Sequence, residues 1–258
     1  MDDPWGTLAR DDRPPQEGQT PMKPVLVLQH LVNDGPAYLD TWLRRQGVPV
    51  ELRCTEAGQA FPDRLDGYSA LALLGGSMSA NDDLPSLRQA ETLILQAMAL
   101  DVPMIGHCLG GQLMARALGA EVTESPAPEV GWSPIQVLGG STARTWFGGA
   151  PSPTVFQWHY EAFDLPEGAE PLAGNDAAPN QAFAIGPHLA MQFHIEVDEA
   201  KLSIWLEHLD AGYAPALQSH PASVQSVQAM RDGVAQHLAA HQVMADRIYR
   251  RWLSRAQR

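Results

Sequence analysis

The sequence predicts an α/β protein in which a mostly parallel sheet carries helices on both faces. Short apolar runs alternate with segments of helical spacing from Pro24 to about Ala120. Continuous apolar runs are typical of strands that are buried on both faces. Two of these runs end in glycine-rich turns. An alternation of strands and helices indicates parallel strands joined by helical crossovers.

Each element of the first half is predicted from its spacing and its boundaries. The strands are short apolar runs, and the helices have apolar residues three and four positions apart. The expected elements are a strand at Pro24–His30, a helix at Gly35–Gly47, strands at Val48–Cys54 and Tyr68–Gly76, a helix at Leu84–Asp101, a strand at Val102–Cys108 and a helix after it. Because ligands bind at the carboxyl ends of such strands, the turns after the third and fourth strands are candidate sites.

The second half predicts a mixed region and then helices. From Glu121 to His194, short runs at 132–138, 154–160, 182–186 and 189–196 are separated by Gly, Pro and Asn, which indicates strands and hairpins. Helical spacing returns at 199–212 and again at about 222–256. The last segment ends in several arginines, which complement the dipole of a helix at its C-terminus.

Composition divides the chain into three parts. Residues 1–22 are rich in Asp, Pro, Gly and Gln and predict a disordered arm. Residues 23–210 are expected to form the α/β domain, and residues 211–258 a helical extension. No internal repeat is visible.

The totals exclude several classes of protein. A formal net charge of −13 disfavours a protein that binds duplex nucleic acid, since such proteins need a basic face. No apolar run is long enough to span a bilayer, and the acidic start lacks the apolar core of a signal peptide. We therefore expect a cytoplasmic protein that acts on small molecules, with its 2 cysteines as free thiols.

Cys108 lies in the stretch GHCLGG, where the fourth strand turns into a helix. Unsatisfied N–H groups at the start of a helix stabilise a thiolate, which is the reactive form of cysteine. Gly106 and Gly110 permit a sharp turn and a close approach of the helix. The pattern predicts a nucleophile elbow with cysteine in place of serine. The alternative is a small buried cysteine packed in a glycine-rich turn.

A nucleophilic cysteine needs a base and an acceptor that orients the base. His194 and Glu196, at the end of the apolar run LAMQF, supply a candidate pair. Alternate residues of an extended chain point the same way, so the carboxylate is expected to lie beside the imidazole. The alternative is a strand-end histidine beside a solvated glutamate.

Acyl transfer also needs N–H donors for the developing oxyanion. The backbone N–H of Leu109, directly after the thiol, is one candidate. The backbone N–H of Gly76, in the turn LLGGSMSANDD, is the second. Without Cys108, the two glycines of this turn would be read as a simple turn.

Three motifs together resemble the class I glutamine amidotransferase family over roughly Val25–Asp198. They are the glycine pair after a buried strand, the elbow GHCLGGQ and the distal pair in QFHIE. The stretches EVGWSPIQV and WHYEAFDLP also resemble stand-alone members that are similar to the glutaminase part of GMP synthase. The resemblance implies a flavodoxin-like fold and implies that Cys108 attacks the side-chain amide of glutamine.

In that reaction ammonia leaves, a γ-glutamyl thioester forms, and water releases glutamate. The resemblance implies that His194 is the general base and acid, Glu196 its partner, and Gly76 and Leu109 the oxyanion donors. It places Gln112 near the bound glutamine. It also places His159 near the substrate, although a histidine packed by Trp158 is an equal alternative. It implies no metal and no cofactor.

The chain departs from the family at three positions. Ile195 replaces the usual proline of the distal motif, Tyr160 replaces a common glycine, and His107 replaces an apolar residue before the thiol. His107 is interpreted either as buried structure or as a residue that tunes the thiol. Cys54 matches no motif.

Two other functions stay open. One is hydrolysis of γ-glutamyl peptides or γ-glutamyl amines by the same three residues. The other is a catalytically silent regulatory subunit that keeps the fold. Because the sequence shows no phosphate-cradling loop, productive use of ammonia is expected to require a synthetase partner.

Overall fold

The computed structural model describes residues 22–256. The segment 1–22, expected to be a disordered arm, lies outside the described residues except for Met22. Within the described range the chain forms ten strands and seven helices. The strands are β1 Val25–Gln29, β2 Val50–Cys54, β3 Ala70–Leu73, β4 Met104–His107, β5 Val122–Pro134, β6 Gln136–Val137, β7 Thr154–Phe163, β8 Glu170–Gly174, β9 Ala182–Ile185 and β10 His188–Met191. The helices are α1 Ala37–Arg45, α2 Pro85–Leu100, α3 Leu109–Ala117, α4 Ser141–Phe147, α5 Glu199–Glu207, α6 Tyr213–Ser219 and α7 Val227–Leu253.

Eight strands form one sheet in the order β2-β1-β3-β4-β10-β9-β8-β6. The first five pair in parallel, and β9, β8 and β6 extend the sheet in antiparallel pairs. β5 and β7 form a separate antiparallel ribbon. The α/β class with a mostly parallel sheet is confirmed, and so is the order of the first four strands and their helices.

Helices cover both faces of the sheet. One core cluster joins the sheet to α1, α4 and α7 through large side chains such as Trp42, Trp146 and Trp252. A second joins the opposite face to α2 and α3. α7, in the segment expected to be an extension, therefore packs directly on the sheet, and the division at residue 210 stays a prediction.

Two expected elements differ in the structure. α4 lies in the region expected to hold only strands and hairpins. Its seven residues carry only one helical period of apolar residues, which is too short a pattern to predict a helix. Its buried side chains are Ala143, Trp146 and Phe147. The strand expected to continue through His194 ends at Met191. None of the helices among residues 22–256 combines the length and apolar character that crossing a bilayer requires.

Candidate active site

Cys108 lies between β4 and α3 in a strained conformation. Its φ is 49° and its ψ is −110°, a region that costs a residue other than glycine about 1–3 kcal/mol. Its N–H donates to the carbonyl of Met191 at 2.9 Å. A Cβ built on Gly110 would collide with the carbonyl of Leu73, and one on Gly106 would lie 2.7 Å from the backbone of Gly110. The predicted elbow is present, and glycines allow α3 to approach the sheet.

His194 and Glu196 form a buried pair beside this elbow. Nδ1 of His194 lies 2.7 Å from Oε1 of Glu196, and both side chains are buried. The Cys108 thiol interacts with the same imidazole. Since Nδ1 is engaged by the carboxylate, Nε2 is the nitrogen that can exchange a proton with the thiol.

The reason for this pairing differs from the sequence expectation. His194 and Glu196 do not sit on a continuous strand, because β10 ends at Met191. Instead, the N–H of His194 donates to the carbonyl of Phe156 in β7 at 2.9 Å. The imidazole of His194 also lies edge-on to the ring of Trp205, with centroids 4.8 Å apart. Neighbouring elements therefore fix the position of His194.

Charges around the pair keep it ionised. Burial would raise the pKa of Glu196, but Lys201, His194 and His107 hold that pKa well below its usual value. Burial would lower the pKa of His194, but the Glu196 charge and the contact with Cys108 raise it to about 10. An imidazolium beside a thiol favours the thiolate, so the arrangement suits nucleophilic chemistry.

His107 is buried structure behind the carboxylate. Its Nδ1 lies 3.2 Å from the carbonyl oxygen of Leu73, and its Nε2 lies 3.9 Å from Oε2 of Glu196. Burial lowers the pKa of His107, and the charge of Glu196 opposes that shift. These contacts match the structural interpretation, and because one of them is with Glu196, an indirect effect of His107 on the thiol stays a prediction.

The two candidate oxyanion donors are neighbours. Leu109 is the first residue of α3, and N–H groups in the first turn of a helix have no acceptor within the helix. A Cβ built on Gly76 would lie 2.9 Å from Cδ2 of Leu109. Gly75 lies against the imidazole of His194, because a Cβ built on Gly75 would lie 2.8 Å from Cε1 of that ring. The turn after β3 thus contacts both the elbow and the imidazole.

Gln112 is connected to the thiol through a second glutamine. Its Nε2 donates to the carbonyl of Glu161 at 3.0 Å and to Oε1 of Gln192 at 3.4 Å. Nε2 of Gln192 in turn lies 3.7 Å from Sγ of Cys108. Gln192 was not singled out from the sequence, although it precedes the distal pair.

His159 lies in a buried polar cluster. Its Nε2 lies 3.1 Å from Oε2 of Glu129, and its Nδ1 lies 3.2 Å from Oγ of Ser125. Gln181 and Asn175 donate to the same carboxylate. The Nδ1 of His159 also lies 3.1 Å from the carbonyl oxygen of Glu161, the same oxygen that accepts from Gln112. The substrate role of His159 stays a prediction.

An aromatic wall beside the thiol was missed by sequence reasoning. The carbonyl of Trp158 accepts from the Cys108 thiol at 3.5 Å, and the ring of Trp158 packs on Trp205 and Tyr213. Asp210 accepts from Nε1 of Trp158 at 2.7 Å. The three rings come from β7, α5 and α6, and Asp210 comes from the turn between the two helices. No local sequence motif indicates that they meet.

The described residues offer no cluster of three or more His, Cys, Asp or Glu side chains arranged to hold a metal ion. Cys54 and Cys108 are both free and buried.

Comparisons with known proteins show the family of the chain. The model of the family "glutamine amidotransferase class-I" matches residues 39–203. The glutamine amidotransferase-like protein YfeJ of Salmonella typhimurium is 31% identical over 189 residues, which cover 69% of this chain and 79% of that protein. A subunit of the glutamine-hydrolysing GMP synthase of Thermoplasma acidophilum is 31% identical over 163 residues. The match covers 62% of this chain and 77% of that subunit.

Solved structures extend the similarity over most of the fold. The crystal structure of a glutamine amidotransferase from Methylobacillus flagellatus matches with a TM-score of 0.86 at 33% identity, covering 92% of this chain and 96% of the other. One from Thermotoga maritima matches with a TM-score of 0.78 at 25% identity, covering 89% and 97%. The chain belongs to the class I glutamine amidotransferase family, whose members generally hydrolyse glutamine, and it has the flavodoxin-like fold of that family.

Proposed function

We propose that this chain hydrolyses the side-chain amide of glutamine, with Cys108 as nucleophile, His194 as general acid and base, and Glu196 as the partner of the imidazole. The observation that carries this proposal is the strained thiol beside an imidazole whose other nitrogen is held by a buried carboxylate at 2.7 Å. That arrangement matches the chemical roles of a cysteine–histidine–acid triad.

The proposed reaction has two acyl-transfer steps. The Cys108 thiolate attacks the amide carbon, and the N–H groups of Gly76 and Leu109 stabilise the oxyanion. The His194 imidazolium gives its proton to the leaving nitrogen, so the C–N bond breaks, ammonia departs and a γ-glutamyl thioester forms. Water then attacks the thioester carbon while His194 takes its proton. The C–S bond breaks, glutamate leaves and the thiolate–imidazolium pair returns.

The contacts of Gln112 support an indirect role in this reaction. We propose that it fixes Gln192, whose amide lies 3.7 Å from the sulfur, and that this side of the thiol borders the glutamine site. Since His159 bonds to Glu129 at 3.1 Å, we assign it no step. The proposed steps use side chains, backbone N–H groups and water.

We further propose that the ammonia is passed to a synthetase partner. The Thermoplasma relative is named as one subunit of GMP synthase, which supports a two-protein arrangement. A cytoplasmic location stays a prediction.

The test is turnover of a panel of γ-glutamyl compounds, including glutamine, γ-glutamyl peptides and γ-glutamyl amines. Ammonia from glutamine is expected to exceed product from the other compounds. Cys108→Ala is expected to abolish turnover. The matched control Cys54→Ala is expected to keep it, because Cys54 ends β2, which lies three strands from β4 in the sheet, about 14 Å at the usual spacing between strands.

Each contrary outcome is informative. Preference for γ-glutamyl peptides or amines would replace glutamine as the substrate and keep the triad. Turnover that survives Cys108→Ala would refute the mechanism. If a glutamine-like chloroketone fails to alkylate Cys108, with or without candidate partners, the chain is a silent subunit.

A further inference from the structure

We propose that Lys201 is a positioning residue of this site: its buried ammonium, anchored by Asp34, holds the Glu196 carboxylate in the orientation that presents Oε1 to His194. Nζ of Lys201 lies 2.6 Å from Oδ1 of Asp34 and 3.0 Å from Oε1 of Glu196. It also donates to the carbonyl of Gly35 at 2.9 Å. The inference rests on the proposed function, because it assigns Lys201 a role in the same reaction.

The burial of this lysine is unusual for its residue type. Lys201 is 4% exposed, and lysines are almost never fully buried unless they are paired. The chain has only two lysines, Lys23 and Lys201, against fifteen arginines. The cation beside Glu196 is therefore a compact ammonium, at a buried position where an extended guanidinium would need more space.

Local sequence explains how the ammonium reaches the carboxylate. Asp198 caps α5 by accepting the N–H of Lys201 at 2.8 Å. The cap starts the helix directly after the Glu196 segment, so Lys201 falls in its first turn and points back toward Glu196. On the other side, Asp34 and Gly35 come from the loop between β1 and α1. The ammonium thus connects two segments far apart in the chain.

The carboxylate of Glu196 depends on this contact for its orientation. Oε1 of Glu196 accepts hydrogen bonds from Nδ1 of His194 and from Nζ of Lys201. Oε2 is buried without a hydrogen-bond partner and lies 3.9 Å from Nε2 of His107. Without the ammonium, only His194 would hold the carboxylate, which could then rotate about its terminal bond.

A second contact reaches the imidazole itself. The ammonium lies over the ring of Trp205 at 4.8 Å, a cation–π distance. The same ring packs nearly perpendicular to the imidazole of His194, with the centroids 4.8 Å apart. Lys201 therefore restrains the imidazole through Glu196 on one side and through Trp205 on another.

The ammonium of Lys201 is one of several buried ionisable groups that interact electrostatically around Glu196. Removing one positive charge from this group makes an anionic thiolate at Cys108 less favourable. Loss of the ammonium is therefore expected to move the alkylation of Cys108 to higher pH. The groups that face Lys201, Asp34 or Glu196 are His30, His107, His194, His241 and Tyr249.

The decisive comparison is between Asp34→Asn and the double variant Asp34→Asn/Lys201→Met. Both lack the Asp34 charge, so they differ only in the ammonium, and the double variant avoids leaving two buried carboxylates without a cation. Lys23→Met is the control for the loss of a surface lysine and is expected to behave as wild type.

Two readouts separate positioning from folding. In the double variant, kcat for glutamine is expected to fall about tenfold relative to D34N while KM changes less than about twofold, as for a residue acting on proton transfer. The pH midpoint of Cys108 alkylation by iodoacetamide, followed by mass spectrometry, is expected to rise by about half a unit or more. Alkylation needs no glutamine, so it tests Lys201 even if the wild type fails to hydrolyse glutamine and the proposed function falls.

A double variant that matches D34N in both readouts overturns the proposal. So does one that fails to fold, because Lys201 would then have a purely structural role.

Discussion

Nε2 of His241, in the middle of α7, lies 2.9 Å from the backbone carbonyl oxygen of His194. Burial lowers the pKa of His241 to about 4, so the ring is neutral and donates through Nε2. The last helix of the chain thus bonds directly to the backbone of the candidate base.

His241→Leu is expected to destabilise the fold by about 1–3 kcal/mol, because it leaves a buried carbonyl without its donor. Urea unfolding measures the loss. The matched control is His237→Leu, one turn earlier on the same helix, where the ring is half-buried against Trp132. Equal stability of the two variants would show that the bond to His194 contributes nothing.

Stability is expected to depend on alkaline pH through His194. Its pKa is near 6.5 in the unfolded chain and about 10 in the fold. The folded state therefore gains protons relative to the unfolded state, and this stabilisation is complete below pH 6.5 and lost as the pH rises toward 10. Each pKa unit corresponds to about 1.4 kcal/mol.

Urea unfolding across this range is the measurement, and His194→Gln is the control. The free energy of unfolding of the variant is expected to change less with pH, because the variant lacks the imidazole. The lysine and tyrosine groups that titrate in the same range are common to both proteins, so they do not account for the difference. Identical slopes would mean that His194 is not held as an imidazolium.

Cys108→Gly is expected to be more stable than Cys108→Ala by about 1 kcal/mol. Both variants lose the thiol, but only glycine adopts a φ of 49° without steric cost, and this relief exceeds its greater entropy in the unfolded chain. Thermal and urea unfolding measure the difference. If alanine were the more stable variant, the elbow would carry no strain.

Gly75→Ala is expected to lower kcat, because the new Cβ would lie 2.8 Å from Cε1 of His194 and must displace the imidazole. A shift of about 1 Å at a catalytic group costs up to about a hundredfold in rate. Gly67→Ala is the control, since its Cβ would meet no atom within 4 Å. Steady-state glutamine hydrolysis distinguishes them, and a fully active G75A would place the base elsewhere.

Sequence reasoning was most successful where the signal is local. The elbow at Cys108 and the neighbouring His194 and Glu196 were predicted from short motifs, and the parallel strands from continuous apolar runs. Lys201 was missed because the amphipathic pattern of a helix places lysine at the surface, and only the tertiary fold brings Asp34 to meet it. His194 was expected on a strand, whereas hydrogen bonds from its backbone to Phe156 and His241 hold it in the structure.

The sheet order has a consequence for how the protein is made. β10 pairs in parallel with β4, although β10 is synthesised long after β4. A growing chain on the ribosome therefore contains Cys108 before its proposed base, His194, has been made. His194 and Glu196 both follow β10 in the chain, and the ammonium of Lys201 follows with α5. The proposed site is therefore assembled only late in folding, after most of the chain has been synthesised.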